Sequence, residues 1–499
     1  MLRYLPLLCY LLTACGPATP PPEDRPNILF LFTDDQTYTA LGALGNAEII
    51  TPNLDRLVRE GTTFTHAYNM GGWQPAVCLA SRHMLNSGRS VWRAQELHDR
   101  WQRGDTTGTQ ELWGNRMAAA GYNTFFSGKW HVRLPAEAAF GTVEHVRPGM
   151  PNDNFPFPAM TALMERHGGA PPRDSVIALY PPGYNRPLGP EDDSYDPADP
   201  KFGGFWAGGR HWSEVLADDG EAFLAAAATD DRPFFMYLAF NAPHDPKQAP
   251  RVYLDRYDPA KVSVPASFQP LYPDKEAIGN GTTLRDEALA PFPRTELAVR
   301  THRAEYYALV THLDAQIGRI LEQLEATGQA ENTVIIFTSD HGLAVGRHGL
   351  LGKQNLYDHS VRVPLVLAGP NIPRGRRIDR DVYLQDVMPT ALDLARAQVP
   401  ATVEFESLLP LVQDPTAGGL DAVYGAYVDL QRSVRKDGYK LLVYPQIPQA
   451  KLFHVAEDPE ELRDLAAAEP ARVAELFGEL QGLQARFGDT LRLELSDYQ

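Results

Sequence analysis

Cys78 lies in the pentapeptide Cys78-Leu79-Ala80-Ser81-Arg82 and has no thiol partner in the body of the chain. Of 3 cysteines, Cys9 and Cys15 fall in an apolar leader, so Cys78 cannot be half of an internal disulfide. A free cysteine is usually a small buried hydrophobe. Four further clusters give this one a different context. Thr33-Asp34-Asp35-Gln36 supplies adjacent carboxylates, and Ser127-Gly128-Lys129-Trp130-His131 supplies a cation and an imidazole. Asn241-Ala242-Pro243-His244 adds a second imidazole, and Ser339-Asp340-His341-Gly342 sets a carboxylate beside a third. Alone, each has an ordinary explanation: paired aspartates cap helices, and Gly-Lys-Trp-His or Pro-His can form a turn. Together they are the residue types that hold a cation, neutralise an anion and move protons.

Each cluster follows an apolar run. Ile28 to Phe32 is continuously apolar, as expected of a strand buried on both faces. Further strands are expected at Asn123 to Phe126, Pro233 to Phe240, Thr333 to Phe337 and Val363 to Ala368, with a helix from about Ala304 to Glu325. A helix beginning at Thr51-Pro52 and stopping at Gly61 has both ends marked. Strands alternating with helices indicate an α/β domain, and ligands of open α/β sheets bind at the carboxyl ends of the strands. Four strands are therefore expected to deliver the clusters to one edge.

Two long stretches, Arg147 to Gly209 and Pro259 to Arg294, are rich in Pro and Gly and read as binding loops or surface insertions. Short strands at Ala422 to Leu430, Tyr439 to Tyr444 and Lys451 to Val455, a turn at Lys436-Asp437-Gly438 and a helix from Ala471 to Phe487 form a small antiparallel α+β unit. A chain of 499 residues suits one large domain plus a smaller one. With 43% hydrophobic and 22% charged residues the composition is that of a globular protein, which excludes a disordered chain. The formal charge of −17 disfavours a nucleic-acid partner, so any anion must meet locally concentrated positive charge.

The N-terminus has a positive start, a short apolar run from Leu5 to Leu12, and then Leu12-Thr13-Ala14-Cys15, the pattern of a secretory signal. Its last four residues resemble a bacterial lipobox, which implies lipidation of Cys15, export, and anchoring at the periplasmic or outer surface by lipid alone. The alternative is an ordinary signal peptide. The following Pro-rich stretch reads as an extended tether. The expected divisions are a leader over 1–15, a tether over 16–25, a catalytic domain over 26–400 and a C-terminal subdomain over 401–499.

With these residues in view, the chain resembles the type I sulfatases of the alkaline phosphatase superfamily. The pentapeptide matches their Cys-x-(Pro/Ala)-x-Arg signal, and Gly121 to His131 matches a second signature. Asp34-Asp35, Pro243-His244, Ser339 to Gly342 and Gly352-Lys353 fall in the expected order. The resemblance implies a large domain with a central mixed, mostly parallel sheet flanked by helices, followed by a small α+β domain with an antiparallel sheet. It implies that a maturation enzyme oxidises Cys78 to formylglycine. Asp34, Asp35, Asp340 and His341, completed by residue 78, would ligate one divalent cation, usually calcium. Arg82 would neutralise the hydrated formylglycine, Lys129 and His131 would hold its hydroxyls, and His244 and Lys353 would grip the sulfate. In the implied cycle one hydroxyl attacks sulfur, His244 protonates the leaving alcohol, and His131 assists loss of sulfate. Asp35 and Asp340 are both open as the base. Ala80 in place of Pro, and Arg133 in place of Gly, are the two departures.

The implied activity is sulfate release from a sulfated carbohydrate, with His211 and Trp212 as candidate substrate contacts. A phosphonate monoester or phosphodiester hydrolase using the same nucleophile is the alternative, and a silent glycan-binding lipoprotein is a third reading. Matured protein is expected to release sulfate from sulfated sugars, and Cys78→Ala to abolish it. Full activity in Cys78→Ala would sink the mechanism.

Overall fold

The structure is a computed structural model that describes residues 25–149, 154–202, 205 and 209–498. The leader, Cys15 and nearly all of the tether lie outside the described residues. The strands in chain order are β1 (Asn27–Thr33), β2 (Thr62–Tyr68), β3 (Gly71–Gly72), β4 (Asn123–Lys129), β5 (Thr142–Arg147), β6 (Phe234–Ala239), β7 (Thr333–Ser339), β8 (Arg362–Ala368), β9 (Arg376–Tyr383), β10 (Val423–Tyr427), β11 (Gln431–Lys436), β12 (Tyr439–Tyr444) and β13 (Gln449–Phe453).

Eight strands form one sheet in the order β5-β4-β6-β1-β7-β8-β2-β9. Neighbours pair in parallel except where β8 runs against β7 and β2. The sheet is thus mixed and mostly parallel, as expected. Every residue of β1 is buried. Its alternate side chains feed two cores, as a period of two requires. Leu29 and Leu31 pack with the helices Trp212–Ala227 and Glu296–Ala326 on one face. Ile28, Phe30 and Phe32 pack with Trp113, Tyr237 and Leu85 on the other. That second core continues past residue 400 through Leu408, Leu411 and Val412.

The long helix begins at Glu296, eight residues before the expected start, because the Thr295 hydroxyl caps it by accepting from the Ala298 N–H at 3.1 Å. The stretch from Arg147 to Gly209 contains a ten-residue helix, Phe157–Arg166. Strands β2, β9 and β11 have no apolar run. In β11, Arg432 and Arg435 are buried because Asp489 and Asp381 pair with them.

The second sheet has the order β13-β12-β11-β10-β3. Asp437 and Gly438 both adopt positive φ, 52° and 76°, closing the β11-β12 hairpin with the Asp-Gly turn its two-residue loop favours. The helix Pro470–Phe487 packs on this sheet through Val473, Leu476, Phe477 and Leu480. The fifth strand, β3, comes from far upstream: Gly71 and Gly72 pair in parallel with Ala426 and Tyr427. Five residues beyond β3 begins the helix that carries Cys78, so the C-terminal sheet helps fix the position of the thiol. Gly71 has φ 91°, and a Cβ there would stand 2.0 Å from the Ala426 carbonyl oxygen. Gly71→Ala is expected to cost about 2–5 kcal/mol, the sum of left-handed strain and overpacking. Urea unfolding measures it, and a loss below about 1 kcal/mol would contradict this account of β3.

Candidate active site

Four adjacent parallel strands, β4, β6, β1 and β7, end at the same edge of the large sheet. Backbone bonds tie their extensions together. The Asp34 N–H donates to Ala242 O at 3.2 Å and the Asp340 N–H to Thr33 O at 3.1 Å. The Asp35 N–H donates to the Asp340 Oδ1 at 3.1 Å. Asp34, Asp35, Lys129, His244, Asp340 and His341 are all buried within this knot.

Helix α1 spans Pro52–Glu60, and α2 spans Val77–Ser87 with Cys78 in its first turn. The helix dipole there favours negative charge near residue 78. Arg82 lies one turn on and faces the same way. The Cys78 Sγ is 3.1 Å from the Asp34 Oδ1 and 3.7 Å from the Asp35 Oδ1. Burial, reinforced by Asp34 and Asp340, pushes its thiol well above the usual range. Burial and the two carboxylates thus disfavour the thiolate, the nucleophilic form of a cysteine.

Arg82 has no exposed surface. Its Nε donates to the Asp340 Oδ2 at 3.0 Å, its Nη1 donates to the Lys129 carbonyl, and its Nη2 lies 3.8 Å from the Asp34 Oδ2. Lys129 pairs with Asp34, and the Lys353 Nζ donates to the Asp35 Oδ2 at 2.5 Å. Burial opposes charge on Asp34, but the cations Lys129, Arg82 and Lys353 outweigh it and hold its carboxyl well below the usual range. Burial pushes Asp35 up despite Lys353, with Asp34 and Asp340 adding to the rise. Burial and Asp34 push Asp340 up to about 6.

The histidines are neutral for a common reason. Burial first, then neighbouring cations, lowers His131 and His244, while burial takes His341 down to about 3. The His244 Nδ1–H donates to Asp245 O at 2.6 Å, which leaves Nε2 facing the Asp35 Oδ2 at 3.7 Å. The His341 Nδ1–H donates to Gly342 O at 3.1 Å and leaves its Nε2 as an acceptor. His131 sits at φ 51°, with its ring against Gly149.

Among the described residues, the ligand atoms of Asp34, Asp35, Cys78 and His244 lie within 4.8 Å of one another. This grouping brings in His244, expected on the leaving-group side. Asp340 adjoins it through Arg82 and the Asp35 N–H, and His341 stands outside it. Three crowded carboxylates, two of them held above their usual range, fit a bound divalent cation, and the oxygen-rich set suits a hard one.

His211 caps the helix Trp212–Ala227. Its Nδ1 accepts from the Ser213 N–H at 3.1 Å and its Nε2–H donates to Gln248 O at 2.9 Å. With both nitrogens committed to backbone, His211 is a cap rather than a free substrate contact. The Trp212 ring lies 4.6 Å from the Arg147 guanidinium, in a cleft shared with Asn241 and His244. Sequence reasoning missed Asn69 and Ser81. The Asn69 Nδ2 donates to the Ser81 Oγ and to Asp340 O at 2.7 Å each, its Oδ1 accepts from the Gly71 N–H, and Ser81 donates to Asp340 O at 2.8 Å. Asp286 was missed too: it is buried near Lys353 and His244 and paired with Arg285 at 2.8 Å.

Residues 26–397 match the family profile described as Sulfatase, and residues 346–485 match that of the N-sulphoglucosamine sulphohydrolase C-terminal region. The chain belongs to the sulfatase family. An arylsulfatase of Clostridium perfringens is 28% identical over 461 residues, covering 89% of this chain and 91% of that protein. An N-acetylglucosamine-6-O-sulfatase of Bacteroides thetaiotaomicron is 24% identical over 566 residues, covering 97% and 91%. The solved structure of a phosphonate monoester hydrolase from Silicibacter pomeroyi superposes with a TM-score of 0.70 at 22% identity, covering 93% of this chain and 96% of that one, and shows the same fold.

This sulfatase is a sulfuric ester hydrolase, and its family implies a metal ion and a formylglycine at the site where the buried Asp/Cys/His cluster lies. Its acids are held in register partly by Asn69. Asn69→Ala leaves buried polar groups unpaired and is expected to cost about 2–4 kcal/mol. Thermal unfolding and sulfate release measure the loss, and wild-type values for both would contradict a positioning role.

Proposed function

We propose that this sulfatase removes sulfate from a sulfated saccharide, with formylglycine at residue 78 and calcium among Asp34, Asp35, Asp340, His341 and residue 78. The observation that carries the saccharide reading is a cavity of about 250 Å³ that opens beside the His244 loop. Its walls include the aromatic Tyr184 and Tyr195, and the charged Arg186, Asp245 and Lys247. Aromatic faces with interleaved donors and acceptors suit a hydroxylated ring. The Bacteroides relative named for N-acetylglucosamine-6-sulfate chemistry supports the same substrate class.

A formylglycine hydrate at residue 78 would supply one hydroxyl for attack on sulfur and a second for release, and a cation held by the acid cluster would stabilise charge on the nonbridging oxygens. The protein's own groups do the rest. Arg82 and Lys129 bring positive charge onto Asp34 beside residue 78, and Lys353 brings a further ammonium onto Asp35. His244 presents Nε2 toward the same space. An anionic ester beside that ring favours its imidazolium, which then protonates the leaving alcohol. His131, neutral and half-buried, is the base that assists release of sulfate.

The leader sequence supports export as a lipoprotein anchored through Cys15, with a formylglycine-generating enzyme as maturation partner. Among the described residues no helix is long and apolar enough to cross a membrane. The second reading, a phosphonate or phosphodiester hydrolase, is favoured by the Silicibacter structure. One experiment separates the two. Converted protein is stripped with a chelator, reloaded with calcium, and offered sulfated monosaccharides beside matched phosphodiesters. Sulfate release is expected to return with calcium and to exceed phosphodiester turnover by about 100-fold or more, the effect of about 3 kcal/mol in the transition state. Faster phosphodiester cleavage, or activity indifferent to chelation, would overturn the proposal.

A further inference from the structure

His83, next to Arg82 on α2, has no part in the chemistry above, yet it is 1% exposed and fully hydrogen-bonded. Its Nδ1–H donates to Leu79 O at 2.9 Å. That bond fixes the tautomer and leaves Nε2 as an acceptor. The Nε2 accepts from the Arg133 backbone N–H at 3.2 Å and meets the His98 Nδ1 at 3.2 Å. His98 lies on α3, Val91–Gln102. The His83 ring is boxed by Trp73, His98 and Trp101, with centroids 5.9, 4.8 and 5.7 Å away.

The segment so gripped is the one that carries Lys129 and His131. It leaves β4 and turns through His131 at φ 51°, a left-handed conformation that a non-glycine residue holds only when its surroundings enforce it. Two consecutive residues of α2 clamp its ends: Arg82 donates to the Lys129 carbonyl, and His83 accepts from the Arg133 N–H. The Trp130 Nε1–H closes the turn on Leu134 O at 2.6 Å. The helix that bears the nucleophile thus also sets the place of the histidine that must face it.

We infer that His83 is a positioning residue that acts through His131, locking the 129–133 turn onto the nucleophile helix through the Arg133 amide. The inference rests on the sulfatase reading only in that His131 serves the reaction. The substitutions that test it are His83→Phe, which fills the aromatic box without an acceptor, and His83→Gln, which restores one. The first readout is independent of activity. In the unconverted protein, amide exchange at Arg133 is expected to quicken about tenfold in His83→Phe, the effect of losing one hydrogen bond, and to recover in His83→Gln. The second is kcat per converted site, with conversion counted by intact mass. A misplaced turn is expected to lower it about 10- to 100-fold in His83→Phe with little change in KM. His83→Gln is expected to regain most of that loss. In a His131→Ala background the same change is expected to cost little, because the two residues act as a unit. Unchanged exchange at Arg133, no recovery with Gln, or additive losses in the double variant would each overturn the inference. Absence of sulfate release by converted wild-type protein would instead reject the sulfatase reading and leave the exchange result to judge His83.

Discussion

The site depends on compensating three carboxylates that the fold buries completely. Asp34, Asp35 and Asp340 are fully buried because they extend strands buried on both faces. Isolated charges there would cost several kcal/mol each. Lys129, Lys353 and Arg82 offset them, each reaching from a different element: the end of β4, the loop after β7, and α2. A cation-binding acid cluster and an anion-binding set of cations are consequently the same structure. The arrangement serves a reaction in which negative charge shifts among the oxygens around one sulfur.

That balance also governs what residue 78 can be. Burial beside Asp34 and Asp340 disfavours the thiolate form of residue 78. A neutral hydroxyl-bearing group in the same place, near the start of α2 and the Lys129 and Lys353 ammoniums, would become more anionic as it reacts, in the direction the surrounding charges favour. Position is enforced from two sides. The second sheet holds Gly71 just before the helix, and Asn69 and Ser81 bind the Asp340 carbonyl from either flank.

Much of this was legible in the sequence, for a physical reason. Strands buried on both faces are largely apolar, so β1, β6 and β7 announce themselves, β4 shows the shorter run Phe125-Phe126, and polar residues at their ends stand out against the runs. Elements whose polar residues are buried in pairs were not legible. β11 reads as Gln-Arg-Ser-Val-Arg-Lys, and only Asp489 and Asp381, remote in sequence, make it an interior strand. Asn69 and His83 were silent likewise, since their partners at Asp340 and Arg133 lie 271 and 50 positions away. His211 was conspicuous for the wrong reason: an imidazole in an aromatic-rich loop looks like a ligand contact, and here it caps a helix.

The central claim is that the chemistry belongs to a group made from Cys78 rather than to its thiol. The direct measurement follows sulfate release from one sulfated saccharide across preparations that differ only in the fraction of residue 78 converted, counted by intact mass. The account predicts a rate proportional to that fraction and extrapolating to zero in unconverted protein. A rate independent of the fraction, or substantial release by the unconverted thiol form, would contradict it.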